Sequence, residues 1–208
     1  MIVVMPNAGA MGGYTDWWGM TTSATANEAP PWETYHIKQL IPWVDANFPT
    51  RPNRDNRAVA GLSMGGAGAS KYASKYPDLF GFLGTFSGAN YINQSGYPAT
   101  DLSNGNLASS LLNLPPNPAC KWGSHDETQP NMEINWRRDD PTYNAENLES
   151  VDVYTTWGTG SDATENVVRP MSQAHATAMT SYGITHTVNT IAGGVHDWAN
   201  WRTALTGF

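Results

Sequence analysis

Apolar residues recur along this chain with two different spacings, which together predict strands that alternate with helices. Short continuous apolar runs bounded by turn-forming residues are typical of buried strands, and apolar residues three and four positions apart are typical of helices. The predicted strands cover residues 2–5, 57–60, 82–86, 151–157 and 187–191, and the predicted helices cover residues 32–48, a segment ending at 76, 167–182 and 197–205. Such alternation predicts a parallel sheet with helices on both faces.

Residues 90–150 interrupt this alternation. They carry weak periodicity, many turn-forming residues and a proline-rich centre at 114–118. Because they lack the apolar residues for a core of their own, we expect a loop-rich excursion over the end of the sheet where ligands bind, and not a second domain. Residues 1–208 are therefore predicted to form one α/β domain.

The most specific motif of the chain lies between the second predicted strand and the following helix. Residues 61–65 read Gly-Leu-Ser-Met-Gly and fit the pattern G-x-S-x-G. A strand that turns sharply into a helix through this pattern holds its serine, Ser63, in a strained and exposed conformation. Glycines are needed at the flanks because a Cβ there would clash with the strand and helix. Ser63 is the candidate nucleophile; a closely packed start of a small-residue helix is the alternative interpretation.

Two further polar loops, residues 158–166 and 193–198, follow later predicted strands and should reach the same edge of the sheet. His196 is the best candidate base, since it follows the last strand in a glycine-led loop. A serine nucleophile needs such an imidazole, and a carboxylate that fixes its tautomer. We favour Asp162 for that carboxylate. Glu165, with its longer side chain, is the alternative, and Asp162 is then a turn or helix-capping residue.

The net charge and the composition limit which binding partners and metal sites are expected. A formal net charge of −7 argues against nucleic acid and against an anionic membrane surface. The single cysteine, Cys120, excludes an intrachain disulfide and has no cysteine neighbour for a metal site. No apolar run is long enough to span a bilayer and no signal peptide precedes the first strand, which leaves the compartment open.

A long polar loop after the first predicted strand carries Trp17 and Trp18. Long loops in compact domains are usually functional. Aromatic side chains in such a loop predict an aromatic-walled cleft for an acyl chain, an aryl group or a sugar.

Several segments in a fixed order also match one known family. These are residues 1–6, 14–17, 32–34 with 40–43, 61–66, 135–136 with 140–142, 158–162 and 194–198. Over nearly its whole length the chain resembles the esterase family of α/β-hydrolase fold that includes mycolyltransferases, S-formylglutathione hydrolases and feruloyl esterases. The resemblance implies a small-molecule ester substrate and acyl transfer through Ser63, with no metal and no cofactor.

The chain departs from this family at its start. Family members usually carry further strands before the point where this chain begins, and the turn after one of them supplies the first oxyanion-hole N–H. The N–H of Met64 remains as the second donor, and an amide near the start of the next loop, such as that of Ala8, is the candidate replacement. The missing strands also leave a sheet edge uncovered, which predicts a homodimer through that edge.

The second departure concerns the acid. In mycolyltransferases it is a glutamate in the helix after the acid loop, and residues 171–180 of the predicted helix carry no carboxylate. This favours Asp162 and disfavours mycolyl transfer. The predicted function is a serine carboxylesterase that hydrolyses short-chain acyl or aryl esters through Ser63, His196 and Asp162. The alternatives are acyl transfer to a sugar or lipid alcohol, and a non-catalytic binding protein on the same fold.

Overall fold

A computed structural model describes residues 1–9, 12–18, 29–92, 121–122 and 130–208, with the backbone alone for residues 130–133. Its sheet contains four parallel strands that lie side by side in chain order. They are β1 (Ala58–Leu62), β2 (Phe82–Phe86), β3 (Asp152–Gly158) and β4 (His186–Ile191). The predicted parallel sheet is confirmed, and the ends of these four strands lie within one or two residues of the predicted ones.

Helices connect the strands and cover both faces of the sheet. They are α1 (Trp32–Thr34), α2 (Ile41–Asn47), α3 (Met64–Lys75), α4 (Pro130–Asp139), α5 (Glu165–Ser181) and α6 (Trp198–Leu205). Leu83 packs with Ala73 of α3 and Met179 of α5. Phe86, three residues further along the same strand, packs with Ala204 of α6. Because an odd spacing along a strand changes the face, α3 and α5 cover one face and α6 covers the other.

The helix predicted over residues 32–48 is continuous over residues 32–47 but changes its hydrogen bonding on the way. A π-helical segment, Tyr35–Leu40, separates α1 from α2, and Ile41 N donates to His36 O. Pro42 lies in the first turn of α2 and has no N–H to donate to the preceding turn. The helical turn before Pro42 is thus wider than that of an α-helix.

Residues 2–5, predicted as a buried strand, do not form one. Ile2 and Val4 are exposed to 44% and 45%, and Met5 to 88%. A strand needs a neighbour for its backbone N–H and C=O groups. In the described part of the chain β1 is an edge strand, and residues 2–5 do not pair with its open side. Pairing of this edge with a second copy stays a prediction.

Four charged side chains form a buried ionic cluster that joins three helices. Lys71 Nζ lies 3.1 Å from Glu33 Oε2 and 3.7 Å from Asp139 Oδ2, and Lys75 Nζ lies 2.7 Å from Glu33 Oε1 and 3.1 Å from Asp139 Oδ1. Burial opposes ionisation of Asp139, but Lys71 and Lys75 outweigh it and hold the pKa of Asp139 well below its usual value. Lys71 also donates to the backbone oxygen of Tyr14. The cluster therefore fixes the loop before α1 against α3.

The predicted excursion over residues 90–150 is described only in part. Residues 93–120 and 123–129, and with them Cys120, lie outside the described residues. The remainder contains α4 and a 3₁₀ helix, Ala145–Leu148, whose first and last residues are fully buried against the core. The single-domain organisation stays a prediction. None of the helices in the described ranges is both long enough and apolar enough to cross a membrane.

Candidate active site

Ser63 sits in a sharp turn between β1 and α3. Its φ of 54° and ψ of −121° are unusual for a residue with a side chain, and such strain costs about 1–3 kcal/mol. The turn requires glycine before Ser63, because a Cβ at Gly61 would lie 2.0 Å from Gly65 O. At Gly65 a Cβ would meet only the Tyr14 hydroxyl oxygen, at 3.5 Å, so the structure shows no clash on that side. Backbone contacts hold the strained residue: Ser63 N donates to Phe86 O at 2.9 Å, and Ser63 O accepts from Ala89 N at 3.1 Å. The geometry is that expected for the G-x-S-x-G motif.

The start of α3 gives the turn its electrostatic character. Met64 is the first residue of this twelve-residue helix, and the first N–H groups of a helix have no partner within it. Together with the helix dipole, they favour negative charge at Ser63. The Met64 amide therefore lies where an oxyanion donor is expected.

His196 contacts a carboxylate, and that carboxylate belongs to Glu165. His196 Nδ1 lies 2.9 Å from Glu165 Oε2. The other oxygen, Oε1, accepts from Ser87 Oγ at 3.0 Å and from Gly158 N at 2.7 Å. Glu165 is fully buried, so these donors replace its water shell. Because a carboxylate only accepts hydrogen bonds, Nδ1 carries the proton and Nε2 is left to accept one.

Asp162, the residue favoured from the sequence, does not contact the imidazole. Its Oδ2 accepts from His196 N at 2.8 Å, and its Oδ1 accepts from Thr164 N at 2.8 Å and Glu165 N at 3.0 Å. Burial raises the pKa of Asp162, but these backbone donors outweigh it and the net shift is downward. Asp162 thus has the turn and capping role named as the alternative, and it also positions the backbone of the histidine loop.

The imidazole contacts Glu165 and not Asp162 because the helix begins earlier than predicted. The predicted helix starts at residue 167, whereas α5 starts at Glu165, which places that side chain in the first helical turn. The short side chain of Asp162 is occupied by backbone N–H groups, while the longer side chain of Glu165 reaches the imidazole. Mycolyltransferases were disfavoured because residues 171–180 lack a carboxylate; Glu165 removes that objection.

Ser63, Glu165 and His196 all lie at the carboxyl ends of the sheet's strands. Leu62 pairs with Phe86, Phe86 with Thr156, and Gly158 with Ile191, so all four strands end together. The loops after β3 and β4 are joined, since Gly160 N donates to Gly194 O at 2.7 Å. Ser63 Oγ makes no hydrogen bond to a described residue. Catalytic hydrogen bonds are often longer before a substrate binds.

Two residues near the carboxyl ends of the strands were not identified from the sequence. Ser87, with a φ of 45°, follows β2 as Ser63 follows β1, and a polar residue directly after a strand is a signal that could have found it. Trp201 packs edge-on to the His196 ring, with centroids 4.9 Å apart, and its buried Nε1 has no partner among the described residues. The helical spacing of Trp201 in α6 gives no comparable signal.

The remaining predicted site residues lie in the loops before α1. Trp17 Nε1 donates to Gly12 O at 2.9 Å, Trp18 is exposed to 70%, and Ala8 is buried. None of the described contacts joins these three residues to Ser63, so their roles in binding and in the oxyanion hole stay predictions. Among the residues that the structure describes, no group of three or more His, Cys, Asp or Glu side chains could hold a metal ion.

Relatives of this chain are found among mycobacterial proteins. An 88-residue segment is 47% identical to the esterase Rv1288 of Mycobacterium tuberculosis (strain ATCC 25618 / H37Rv), covering 42% of this chain and 18% of that protein. A 146-residue segment is 30% identical to the diacylglycerol acyltransferase/mycolyltransferase Ag85A of Mycobacterium leprae (strain TN), covering 70% of this chain and 40% of that protein. The chain therefore spans less than half the length of each of these relatives.

The fold is shared with a solved structure from the same genus. MPT51 of Mycobacterium tuberculosis superimposes with a TM-score of 0.70 and 22% identity, over 85% of this chain and 66% of that one. The sheet order and strand-to-helix turn described above are thus those of the α/β-hydrolase fold. The family model described as "Putative esterase" matches residues 1–208, and the chain belongs to this family.

Proposed function

We propose that this protein is a serine carboxylesterase that uses Ser63 as nucleophile, His196 as base and Glu165 as the acid of the triad. The observation that carries the proposal is the 2.9 Å contact between His196 Nδ1 and the buried Glu165, at the sheet edge where the strained Ser63 turn also ends. Family membership supports the same reaction class, and the name of Rv1288 states an esterase.

The reaction proceeds in two halves. As Ser63 Oγ attacks the ester carbonyl, His196 Nε2 takes the hydroxyl proton, and the Met64 N–H donates to the oxygen that becomes negative. Collapse of the tetrahedral intermediate breaks the ester C–O bond, and His196 returns the proton to the leaving alcohol. Water then repeats these steps on the acyl-enzyme and releases the acid. Glu165 fixes the imidazole tautomer and stabilises the imidazolium, and no metal or cofactor is required.

Acyl transfer to an alcohol is the second candidate. The observation that favours it is Glu165 itself, a glutamate on the helix after the acid loop, which is where the family's mycolyltransferases carry theirs. The name of Ag85A states an acyltransferase. Hydrolysis and transfer share the acyl-enzyme and differ in the acceptor, so product analysis with a sugar or glycerol acceptor added to the assay separates them.

The first test is hydrolysis of p-nitrophenyl acetate, butyrate and octanoate by the wild-type protein and by Ser63→Ala. We expect turnover by the wild type, loss of it in Ser63→Ala, and a preference for the shorter chains. Circular dichroism and a melting curve serve as controls that both proteins are folded. A folded wild type without turnover, or a Ser63→Ala variant of equal activity, would leave the non-catalytic binding protein as the better hypothesis.

A further inference from the structure

Tyr14 lies against the beginning of α3, the helix that follows Ser63. A Cβ at Gly68 would lie 2.5 Å from Tyr14 Cγ, and a Cβ at Gly65 would lie 3.5 Å from the Tyr14 hydroxyl oxygen. Gly65 precedes Gly68 by about one helical turn. The ring therefore runs along the helix toward its N-terminus, with the hydroxyl foremost, and the hydroxyl points toward the end of α3 that carries Met64 and Ser63.

The position of Tyr14 is fixed from several directions. Its φ of 54° is rare for a residue with a side chain. Lys71, within the buried ionic cluster, donates to its backbone oxygen. Its ring packs edge-on to Tyr72, with centroids 6.3 Å apart, and lies 5.9 Å from the ring of His36. Strained backbone of this kind persists where the surroundings over-determine it, and it clusters at functional sites.

The hydroxyl of Tyr14 has no hydrogen-bond partner among the described residues. Two neighbouring tyrosines differ in this respect: Tyr72 Oη lies 2.9 Å from His36 Nδ1, and Tyr76 Oη donates to Glu33 at 2.5 Å. Burial raises the pKa of Tyr14, so its phenol stays protonated at neutral pH and can donate. A fixed donor without a partner at the start of the Ser63 helix is available to an acceptor on a ligand.

Tyr14 also reaches the Ser63 turn from a side that the catalytic base does not use. Gly66 faces the turn after β2, since a Cβ there would lie 2.8 Å from Gly88 Cα, whereas Gly65 faces Tyr14. His196 comes from the loop after β4, beyond β2 and β3 in the sheet order. In acyl transfer the oxyanion points away from the base that serves the leaving group. The oxyanion donors are therefore expected on the side where Tyr14 lies.

We propose that the Tyr14 hydroxyl is an oxyanion donor that acts together with the Met64 N–H. This inference rests on the proposed esterase function. As the Ser63 Oγ–C bond forms, the carbonyl π electrons move to oxygen, and Tyr14 and Met64 each donate a hydrogen bond to it without transferring a proton. The hydroxyl thus takes the role that the sequence suggests for the amide of Ala8.

The test is turnover of p-nitrophenyl butyrate by Tyr14→Phe. Loss of one oxyanion donor lowers kcat by about 10²–10³-fold, and because the hydrogen bond strengthens in the transition state, KM should change little. The melting temperature should stay near that of wild type, since the hydroxyl has no described partner to lose. Tyr182→Phe is the matched control, because Tyr182 is 52% exposed at the far end of α5 and should keep full activity.

A second variant separates the hydroxyl from the packing of the ring. Incorporating 3-fluorotyrosine at position 14 keeps a donor, so it should retain activity even if Tyr14→Phe lowers the melting temperature. Ser63-dependent activity that stays within about twofold of wild type in Tyr14→Phe would overturn the role of Tyr14 and leave the esterase proposal intact. A folded wild type without Ser63-dependent activity would overturn both.

Discussion

Replacement of Glu165 with glutamine tests the acid of the triad most directly, because the shape of the side chain is kept and one oxygen becomes an NH₂ group. The amide has two orientations in this site. In the first, its oxygen takes the place of Oε1 and accepts from Gly158 N and Ser87 Oγ, so its NH₂ group faces His196 Nδ1. In the second, the NH₂ group faces Gly158 N, where the wild-type distance from nitrogen to oxygen is 2.7 Å.

The surrounding donors decide between these orientations. In the second, two N–H donors oppose each other in a fully buried place, and the Gly158 N–H loses its acceptor. An unsatisfied buried donor costs about 1–3 kcal/mol, which corresponds to a preference of roughly 5- to 150-fold for the first orientation. In that orientation the amide donates to Nδ1, so the imidazole proton moves to Nε2. An Nε2 that carries a proton cannot accept the proton of Ser63.

We therefore expect Glu165→Gln to lower kcat for p-nitrophenyl butyrate by about 10⁴-fold, the size of effect that a wrong tautomer has in serine proteases. Asp162→Asn is the matched control. Asp162 contacts backbone N–H groups only, so its change to asparagine leaves the tautomer unaffected. Its kcat should stay within about tenfold of wild type, with a loss of about 1 kcal/mol in the free energy of unfolding, typical of a weakened helix cap.

The opposite ranking would refute this reasoning. If Asp162→Asn were as inactive as Ser63→Ala while Glu165→Gln kept activity close to wild type, the imidazole would have to exchange its partner when substrate binds. Equal, complete loss in both variants would show that the contact from Asp162 to the backbone of the histidine loop matters as much as the tautomer.

Two further predictions concern stability. Gly61→Ala should destabilise the fold by about 1–3 kcal/mol or more, because its Cβ would lie 2.0 Å from Gly65 O. Thermal unfolding measures this, with Gly65→Ala as the control, since a Cβ there would meet no atom closer than the Tyr14 hydroxyl oxygen at 3.5 Å; an unchanged melting temperature in Gly61→Ala would contradict the packing described. His175 is fully buried, and burial, with a smaller contribution from His186, lowers its pKa to about 3. The imidazole binds a proton near pH 6.5 in the unfolded chain but only near pH 3 in the folded one. As the pH is lowered from 6.5 to 3, the free energy of unfolding should therefore fall by up to about 1.4 kcal/mol per pH unit. Urea unfolding at several pH values should show this slope reduced in His175→Gln, and an equal slope in both proteins would contradict it.

The sheet and the strained turn at Ser63 could be predicted because each depends on local sequence. The apolar runs of β1 to β4 are short, bounded and separated by helical spacing, so the order of elements follows from periodicity alone. The motif around Ser63 includes Gly61, where a side chain would clash, and this glycine is visible in the sequence. The parallel sheet and the strained conformation of Ser63 are therefore found as predicted.

The carboxylate that contacts His196 and the conformation of residues 2–5 could not be predicted because each depends on contacts distant in sequence. Asp162 and Glu165 are three residues apart, and the start of α5 decides which of them reaches His196 and which binds backbone N–H groups. Residues 2–5 have the apolar run of a strand, but a strand forms only beside a partner. The orientation of Tyr14 likewise depends on Gly65, Gly68 and Lys71, which periodicity does not bring together.

The buried ionic cluster of Glu33, Lys71, Lys75 and Asp139 has a consequence for how this family can diverge. Each of these side chains pairs with two opposite charges of the cluster, and Arg138 also lies 3.3 Å from Asp139. Removing one partner of a buried ion pair typically costs about 3–5 kcal/mol. Replacing an ion pair by apolar residues of similar volume is often neutral. Single substitutions here should therefore be rare among close homologues, and the four positions should covary, changing in opposite-charge pairs or as a complete set.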